Sequence, residues 1–473
     1  MRISLVEAPE GISGAPAPGT ALVTRLARLL SRRRVASVVV SLGILIRLLF
    51  LLLVAHQPLL QDAASYNRMA ILVLKGTPFV PYWPPGLPLY LGVVHYLLGD
   101  SILQVRLAML AFYVGTSVFT YRTAVLLTSD VAASNLALLF LALSPATIHF
   151  SVEPMTQLPA GMFLMMTAYC LLRAGSDPSF GNYLLLGFSA GYLTLIRPSS
   201  LVLLALIPPY LLWRSRKFAG AATVSLAGIV VVGAWIGYVH QKTGRFVKIN
   251  TANARNLYIG NSPATPLYRT WWWASREQPN TALQSVQSPA LDQVSLEDEF
   301  SAREAEYSRM AREYILQHPG LFLLRSLNRV CAYFAFDTFA GGYLIKNDVL
   351  PRLLGFAVLG LDAGLYLLIA VGSILYVGTL AGMNQRTLSA CVLLAVALLY
   401  SFPYFLAFSH PRYHYPIEPI LMILSSTFVV TFINGAYKVP WDTLMRRKSA
   451  IALVLGVFAF IQAEFFAMMA NQL

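Results

Sequence analysis

Residues 35–54 read VASVVVSLGILIRLLFLLLV, and residues 61–76, a short turn later, read QDAASYNRMAILVLKG. The first stretch is about 20 residues of almost pure hydrocarbon, the length that crosses a bilayer core. Arg32, Arg33 and Arg34 stand immediately before it, and no small-residue cleavage site follows. The pattern predicts an uncleaved first membrane span whose arginines stay in the cytoplasm. The second stretch has a different character. Asp62, Tyr66 and Ala70 recur four residues apart, so an acid and an aromatic ring share one helix face just past the outer end of that span.

The rest of the chain agrees with a membrane reading. It has 473 residues, 57% hydrophobic and 12% charged, with a mean hydropathy of +0.62. Soluble domains carry about a quarter charged residues, so an ordinary cytosolic enzyme is excluded, and so is a disordered chain. The net charge of +14 sits in short basic clusters between apolar runs, which suits membrane orientation and anionic headgroups better than nucleic acid. Cys170, Cys331 and Cys391 are far apart and form neither a disulfide framework nor a metal-type spacing.

Further apolar stretches lie near 103–121, 131–149, 156–172, 183–196, 199–213, 219–239, 354–380, 387–407, 417–435 and 449–468. With the first, they predict an all-α polytopic protein of about eleven transmembrane helices. The chain divides into a disordered, basic, cytoplasmic N-terminus over 1–34, a transmembrane core over 35–240, a large outward loop over 241–353, and C-terminal spans over 354–473. Within the core, the first outward loop covers 55–102 and carries the amphipathic segment. Alternate loops test the orientation. The cytoplasmic ones hold Arg122, Arg173, the cluster Arg214, Arg216 and Lys217, then Arg386, and Lys438 with Arg446, Arg447 and Lys448. The short outward loops hold only Arg197 and Arg412.

The large outward loop contains Trp271, Trp272 and Trp273, then Phe300, Tyr307 and Tyr314 at seven-residue spacing with Met310 between the tyrosines. That spacing predicts an amphipathic helix stopped by Pro319. Beyond it, Arg325 and Arg329 lie four apart on a segment that reads as interfacial.

Ionisable groups near a membrane are costly, which makes each one a functional candidate. Asp62 reads either as a helix N-cap or as a catalytic acid. The segment PFVPYWPPGLPLY that follows is a rigid proline-rich loop, in which Tyr82 and Trp83 are a fixed wall or an interfacial belt. Glu153 lies in a very short outward loop. It can orient an acceptor, bind a cation or share a proton with Asp62, or it can simply face a helix dipole before Pro154. Arg197 and Arg412 break the orientation bias, and their planar fork suits phosphate; snorkelling or structural ion pairing is the alternative. His410 and His414 flank Arg412 as phosphate contacts or interfacial residues. Arg47, inside the first span, is expected to pair with a buried acid, with approach to a lipid phosphate as the alternative.

The ordered set of these signals resembles a family. Asp62, Tyr66, Ala70, Leu74 and Gly76 form D-x-x-x-Y-x-x-x-A-x-x-x-L-x-G. P-P-x-x-P-L-Y follows at Pro84–Tyr90, then L-L-G before Arg106. Glu153, LIRP ending at Pro198, Y-I-x-x-H-P-x-x-F-L from Tyr314, and H-P-R-Y-x-x-P from His410 complete it. Together, from about Arg47 to Pro419, they resemble the GT-C glycosyltransferases, in the branch of the protein O-mannosyltransferases and the aminoarabinose lipid A transferases. The family often has a second acid after the Asp, where this chain has Ala63.

The resemblance implies the GT-C fold and a sugar donor carried on a polyprenyl phosphate. It implies that Asp62 acts as general base, with Glu153 beside it, on an acceptor hydroxyl that displaces the lipid phosphate with inversion. Arg197, Arg412, Arg106, Tyr66, Tyr82 and His410 would surround the donor and its phosphate. The acceptor would be a lipid, a glycan or a protein, and the site would face outward from a bacterial plasma membrane. Metal use varies in the family, and no His/Asp cluster here demands a metal, so no cofactor is expected. Two other classes fit less well. A secondary transporter keeps its ionisable groups at midspan and shows repeated halves, whereas the acids here lie at the outer surface, with Asp362 and Glu464 towards outer span ends. A polysaccharide polymerase or ligase has no need of an Asp placed just after the first span.

Overall fold

The computed structural model describes residues 29–267, 293–382, 384–434 and 439–470. Of the N-terminus expected to be disordered over 1–34, residues 1–28 lie outside the described residues, as do the tryptophan run Trp271–Trp273 and Lys438. Among the described residues the chain is helical and contains no strand.

The chain opens on α1 (Arg34–Val54), whose outer end leads into two helices of the first loop, α2 (Gln61–Lys75) and α3 (Gly86–Leu98). Then come α4 (Ile102–Thr128), α5 (Val131–Leu143), the single turn-and-a-half α6 (Pro145–Phe150), α7 (Gln157–Ser176), α8 (Phe180–Ile196), α9 (Leu201–Ser215) and α10 (Phe218–Thr243). The large loop folds as α11 (Ala252–Gly260), α12 (Gln293–Ala302), α13 (Glu304–Gln317), α14 (Pro319–Phe334) and α15 (Phe339–Lys346). The chain closes with α16 (Arg352–Thr379), α17 (Gln385–Leu406), α18 (Glu418–Ile433), α19 (Trp441–Arg446) and α20 (Lys448–Ala470).

Every apolar stretch expected to span coincides with one of these helices. Eight are long and apolar enough to cross a membrane: α1, α4, α7, α10, α16, α17, α18 with the turns before it, and α20. The other three expected spans, α5, α8 and α9, are shorter. The stretch near 131–149 breaks into α5 and α6 because Pro145 has no N–H to continue the helix. Ser144 takes over as N-cap, its hydroxyl accepting the Thr147 N–H at 3.1 Å.

The amphipathic stretch of the large loop is also split. Phe300 lies on α12, while Tyr307 and Tyr314 lie on α13, with a break at Arg303. Pro319 ends one helix and begins the next, occupying the first turn of α14, where its missing N–H costs nothing.

One sequence expectation about an arginine needs correction. Arg47 pairs with no acid among the described residues. Its guanidinium donates to the carbonyls of Gly43, Leu141 and Ala142 and to the Ser151 hydroxyl, at 2.9–3.1 Å, and lies over the Tyr113 ring. It thus satisfies the carbonyls freed where α5 ends. On the segment expected to be interfacial, the side chains of Arg325 and Arg329 are buried. Arg325 donates to the carbonyls of Ser262 and Thr265. Arg329 donates to the carbonyls of Gly260, Phe405 and Leu406 and to Asn261 Oδ1. Each guanidinium turns inward because broken backbone without water must find donors inside the protein.

The core packs around α7, the most enclosed of the spans. One close approach ties α3 to the end of α8. A Cβ on Gly86 would lie 2.5 Å from Ile196 Cγ1 and 2.7 Å from the Ile196 nitrogen, and Tyr192 donates its hydroxyl to the Gly86 carbonyl at 2.9 Å. Gly86→Ala is therefore expected to overpack this contact and cost about 1–3 kcal/mol, read as a lower unfolding midpoint in detergent. An unchanged midpoint would mean that α3 and α8 can separate freely here.

Candidate active site

The first loop brings Asp62 to the end of the bundle where α1 finishes. The N-cap of α2 is Leu60, with no side-chain cap bond, and Asp62 sits inside the first turn. Its carboxylate is turned away from the helix terminus. Oδ2 accepts from Arg412 Nη2 at 3.0 Å, and no described residue bonds Oδ1. Of the two readings of Asp62, the capping one is not what the geometry shows.

Arg412 is placed by the short turn Pro411–Tyr413. His410 is the residue before that turn, and its Nδ1 accepts the Arg412 backbone N–H at 3.2 Å. Burial, with Arg412 and His414 beside it, holds the His410 imidazole well below its ordinary value, so it stays a neutral acceptor. The Arg412 guanidinium packs against the rings of Phe339 and Tyr413.

Arg197 ends α8 and precedes the Pro198–Ser200 turn. Its guanidinium lies 5.3 Å over the Tyr413 ring. It makes no hydrogen bond or ion pair among the described residues, and its buried Nε has no partner. Such an uncompensated cation is expensive unless something anionic joins it.

These groups line one cavity of about 400 Å³. Asp62, Tyr66, Tyr82, Trp83, Arg197, Arg255, Tyr404, Arg412 and Tyr413 all face it. Three guanidinium groups confront a single carboxylate. The first loop and the large loop meet to close it. The Thr251 and Ala252 N–H groups donate to the carbonyls of Pro81 and Tyr82 at 3.0 and 3.2 Å, and Asn250 Nδ2 adds a bond of 3.0 Å to Tyr82. Arg255 on α11 donates to the Tyr82 hydroxyl at 3.3 Å and lies over the Phe300 ring. Tyr66, Trp83 and Tyr82 stand in contact, with ring centroids 5.5 and 5.0 Å apart.

Asp62 also borders a second cavity of about 420 Å³, shared with Glu153, Tyr343, Lys346, Asn347 and His410. The carboxylate–guanidinium pair therefore stands between two chambers. Among the described residues no three His, Cys, Asp or Glu side chains cluster as metal ligands.

Of the residues singled out in the sequence, Asp62, Tyr66, Tyr82, Arg197 and Arg412 are brought to the first cavity, and Glu153 and His410 to the second. Arg106 reaches neither. It is buried on α4, donating to the Val54 carbonyl at the end of α1 and to Glu153 Oε2 at 3.2 Å. That geometry makes it a tether between α1 and the α6–α7 loop. Sequence reasoning gave no role to Tyr404, Tyr413, Asn250 or Lys346. A usable signal was the amide-rich run NTANARN at 250–256, unusual in so apolar a chain.

The comparisons with known proteins follow this geometry. Residues 82–236 match the family model of the dolichyl-phosphate-mannose-protein mannosyltransferases. That range includes Tyr82, Arg106, Glu153 and Arg197, and excludes Asp62 and Arg412. The crystal structure of the Archaeoglobus fulgidus oligosaccharyltransferase in its apo form superposes with a TM-score of 0.50 at 13% identity, covering 90% of this chain and 54% of that one. The chain has the GT-C fold. Both matches are members of that superfamily. The same archaeal enzyme in complex with zinc and sulfate gives a TM-score of 0.48 at 12% identity, covering 88% and 51%. The chain thus spans about half the length of the oligosaccharyltransferase whose fold it shares. No curated protein matches it. Its apolar helices and GT-C fold make it an integral membrane protein.

Burial sets the electrostatics of the second cavity. It pushes the Glu153 carboxyl up to about 7, outweighing the opposing pull of Arg106. It also pushes Asp337, which lies behind Arg412, up to about 6. A raised carboxyl favours the fold when protonated. Its contribution is full below the ordinary value of 4.5 and is lost as pH rises through about 7. Glu153→Gln fixes the neutral form. Between pH 5 and 8 the wild-type unfolding midpoint should therefore fall relative to that of Glu153→Gln. A pH-independent difference would mean that Arg106 keeps Glu153 charged throughout.

Proposed function

We propose that this protein is a membrane glycosyltransferase that moves a sugar from a polyprenyl-phosphate donor to an acceptor hydroxyl, with inversion at the sugar. The observation that carries this reading is the unspent Arg197 guanidinium beside Arg412, in a cavity whose rim holds the Asp62 carboxylate.

In this reading Asp62 Oδ1, free of internal bonds, accepts the proton of the acceptor hydroxyl. The hydroxyl oxygen forms its bond to the anomeric carbon. The bond from that carbon to the phosphate oxygen breaks, and the lipid phosphate leaves with the electron pair. Charge accumulates on the leaving phosphate, where fixed cations stabilise it without the need for a strong general acid. Arg197 supplies one cation. Arg412 supplies a second while its other face orients Asp62. Tyr66, Tyr82 and Trp83 form the aromatic wall against which a sugar ring can rest. Glu153 tunes the second chamber and holds Arg106. The two arginines take the role a divalent cation would fill, so we propose turnover without metal.

The acceptor is a lipid, a glycan or a protein. In this reading the cavity end of the bundle faces outward from a bacterial plasma membrane; the clustering of Arg32–Arg34, Arg122, Arg173, Arg214, Arg386 and Arg446–Lys448 at the opposite helix ends supports the orientation.

The test is transfer of label from a panel of radiolabelled polyprenyl-phosphate sugars by the purified protein. Asp62→Asn should leave the protein folded and lower turnover by roughly 10²–10⁴-fold, the usual contribution of a general base. Arg197→Lys keeps the charge but loses the two-point fork, and should cost roughly ten- to a hundredfold in donor affinity or rate. Turnover should persist in EDTA. Wild-type turnover by Asp62→Asn would remove that residue as the base. Full activity of Arg197→Lys would remove the arginine from the donor site.

A further inference from the structure

Away from the site, an apolar groove of about 500 Å³ runs between α20 and the wall made by α14, α16, α17 and α18. Its polar atoms are already spent. Tyr366 donates to the Phe334 carbonyl at 2.9 Å, and Ser373 donates to the Leu421 carbonyl at 2.8 Å. One charged group lines it, the Arg447 guanidinium at one end. Arg446 and Lys448 flank that end, and none of the three forms an ion pair with a described residue.

The ends of α20 fix where this mouth lies. Met469 lines the second cavity, next to the site. Lys448 is 21 residues earlier, about 31 Å away along the helix, which is a full hydrocarbon core. The basic mouth is thus at the membrane face opposite Asp62. The apolar lining on α20 runs from Ala450 to Ile461, about 16 Å, which is the depth of one leaflet out of a core of about 30 Å. A gap of this kind cannot stand empty in a bilayer, because its walls would forgo their dispersion contacts.

We propose that this groove binds an anionic glycerophospholipid of that leaflet, with one acyl chain between α20 and α16 and the phosphate at Arg446, Arg447 and Lys448. Chain length, one-sided charge and the single-leaflet depth all select such a lipid. The donor's lipid tail is excluded as occupant because its phosphate must lie at the far end, beside Asp62. The site also bears on the active end. Gln462, further along α20, donates to the Phe334 carbonyl and accepts the Phe336 N–H, at 2.7 and 2.9 Å. That segment leads directly to Phe339, on which Arg412 rests. Lipid in the groove holds α20 against the core and so steadies the floor under Arg412.

Native mass spectrometry and thermal unfolding of the full chain test this, after extraction from membranes of defined phosphatidylglycerol and phosphatidylcholine content. One phosphatidylglycerol should be retained per chain, at least tenfold over phosphatidylcholine, and should raise the unfolding midpoint. The double change Arg446→Gln with Arg447→Glu should lower that retention about tenfold. Ala450→Trp, which blocks the groove without touching charge, should do the same, while Arg214→Gln with Arg216→Gln should not. Equal retention of the two lipids would overturn the proposal. So would unchanged phosphatidylglycerol retention in both groove variants, or displacement of the lipid by a polyprenyl phosphate.

Discussion

A carboxylate and a guanidinium 350 positions apart in the chain meet at 3.0 Å, and the rest of the site is arranged around that pair. Asp62 comes from the helix that follows the first span, and Arg412 from the turn that precedes α18. Neither is fully buried, with 24% and 17% of their side chains exposed, so the pair escapes most of the desolvation cost that makes enclosed ion pairs poor stabilisers. Its value lies in geometry. It draws the first loop against the last third of the chain and closes the floor between two chambers. One Arg412 face then orients Asp62 while the other looks into the cavity with Arg197.

The surrounding backbone is irregular, and in a membrane that is affordable only where donors are supplied internally. Three buried arginines supply them. Arg47 covers the carbonyls released where α5 breaks, and Arg325 and Arg329 cover those of 260–265 and 405–406. Each replaces a helical hydrogen bond with a planar cation that reaches two or more carbonyls at once. This explains how Arg47, Arg325 and Arg329 keep their charge in the interior with no ion pair among the described residues. It also separates these structural arginines from Arg197. Each of them donates to two or more backbone carbonyls, whereas the Arg197 guanidinium makes no hydrogen bond among the described residues.

Much of this was legible in the sequence. The eleven apolar stretches each mark a helix, because hydrocarbon runs have few alternatives in a bilayer. Asp62, Arg197 and Arg412 stood out because each sits where charge is costly, and the structure brings all three to one cavity. What was hidden has physical reasons. The direction of a buried guanidinium depends on which carbonyls the fold leaves unpaired, so the partners of Arg47, Arg325 and Arg329 are not legible in the sequence. Arg106 was read with the phosphate group because it opens its span near the others, yet its side chain turns to Val54 and Glu153. The partition of the site into two chambers depends on contacts between α2, α15 and the turn at 411–413, elements distant in the chain that no local pattern predicts. The helix break at Arg303 likewise interrupts a seven-residue repeat that reads as continuous.

The most direct test of the central claim is an experimental structure of the protein with a polyprenyl phosphate bound. The expected result is the phosphate in the cavity beside Asp62, within hydrogen-bonding reach, about 3 Å, of the guanidinium groups of Arg197 and Arg412. Phosphate held elsewhere, for example by Lys346 in the second chamber with Arg197 still unpartnered, would contradict it.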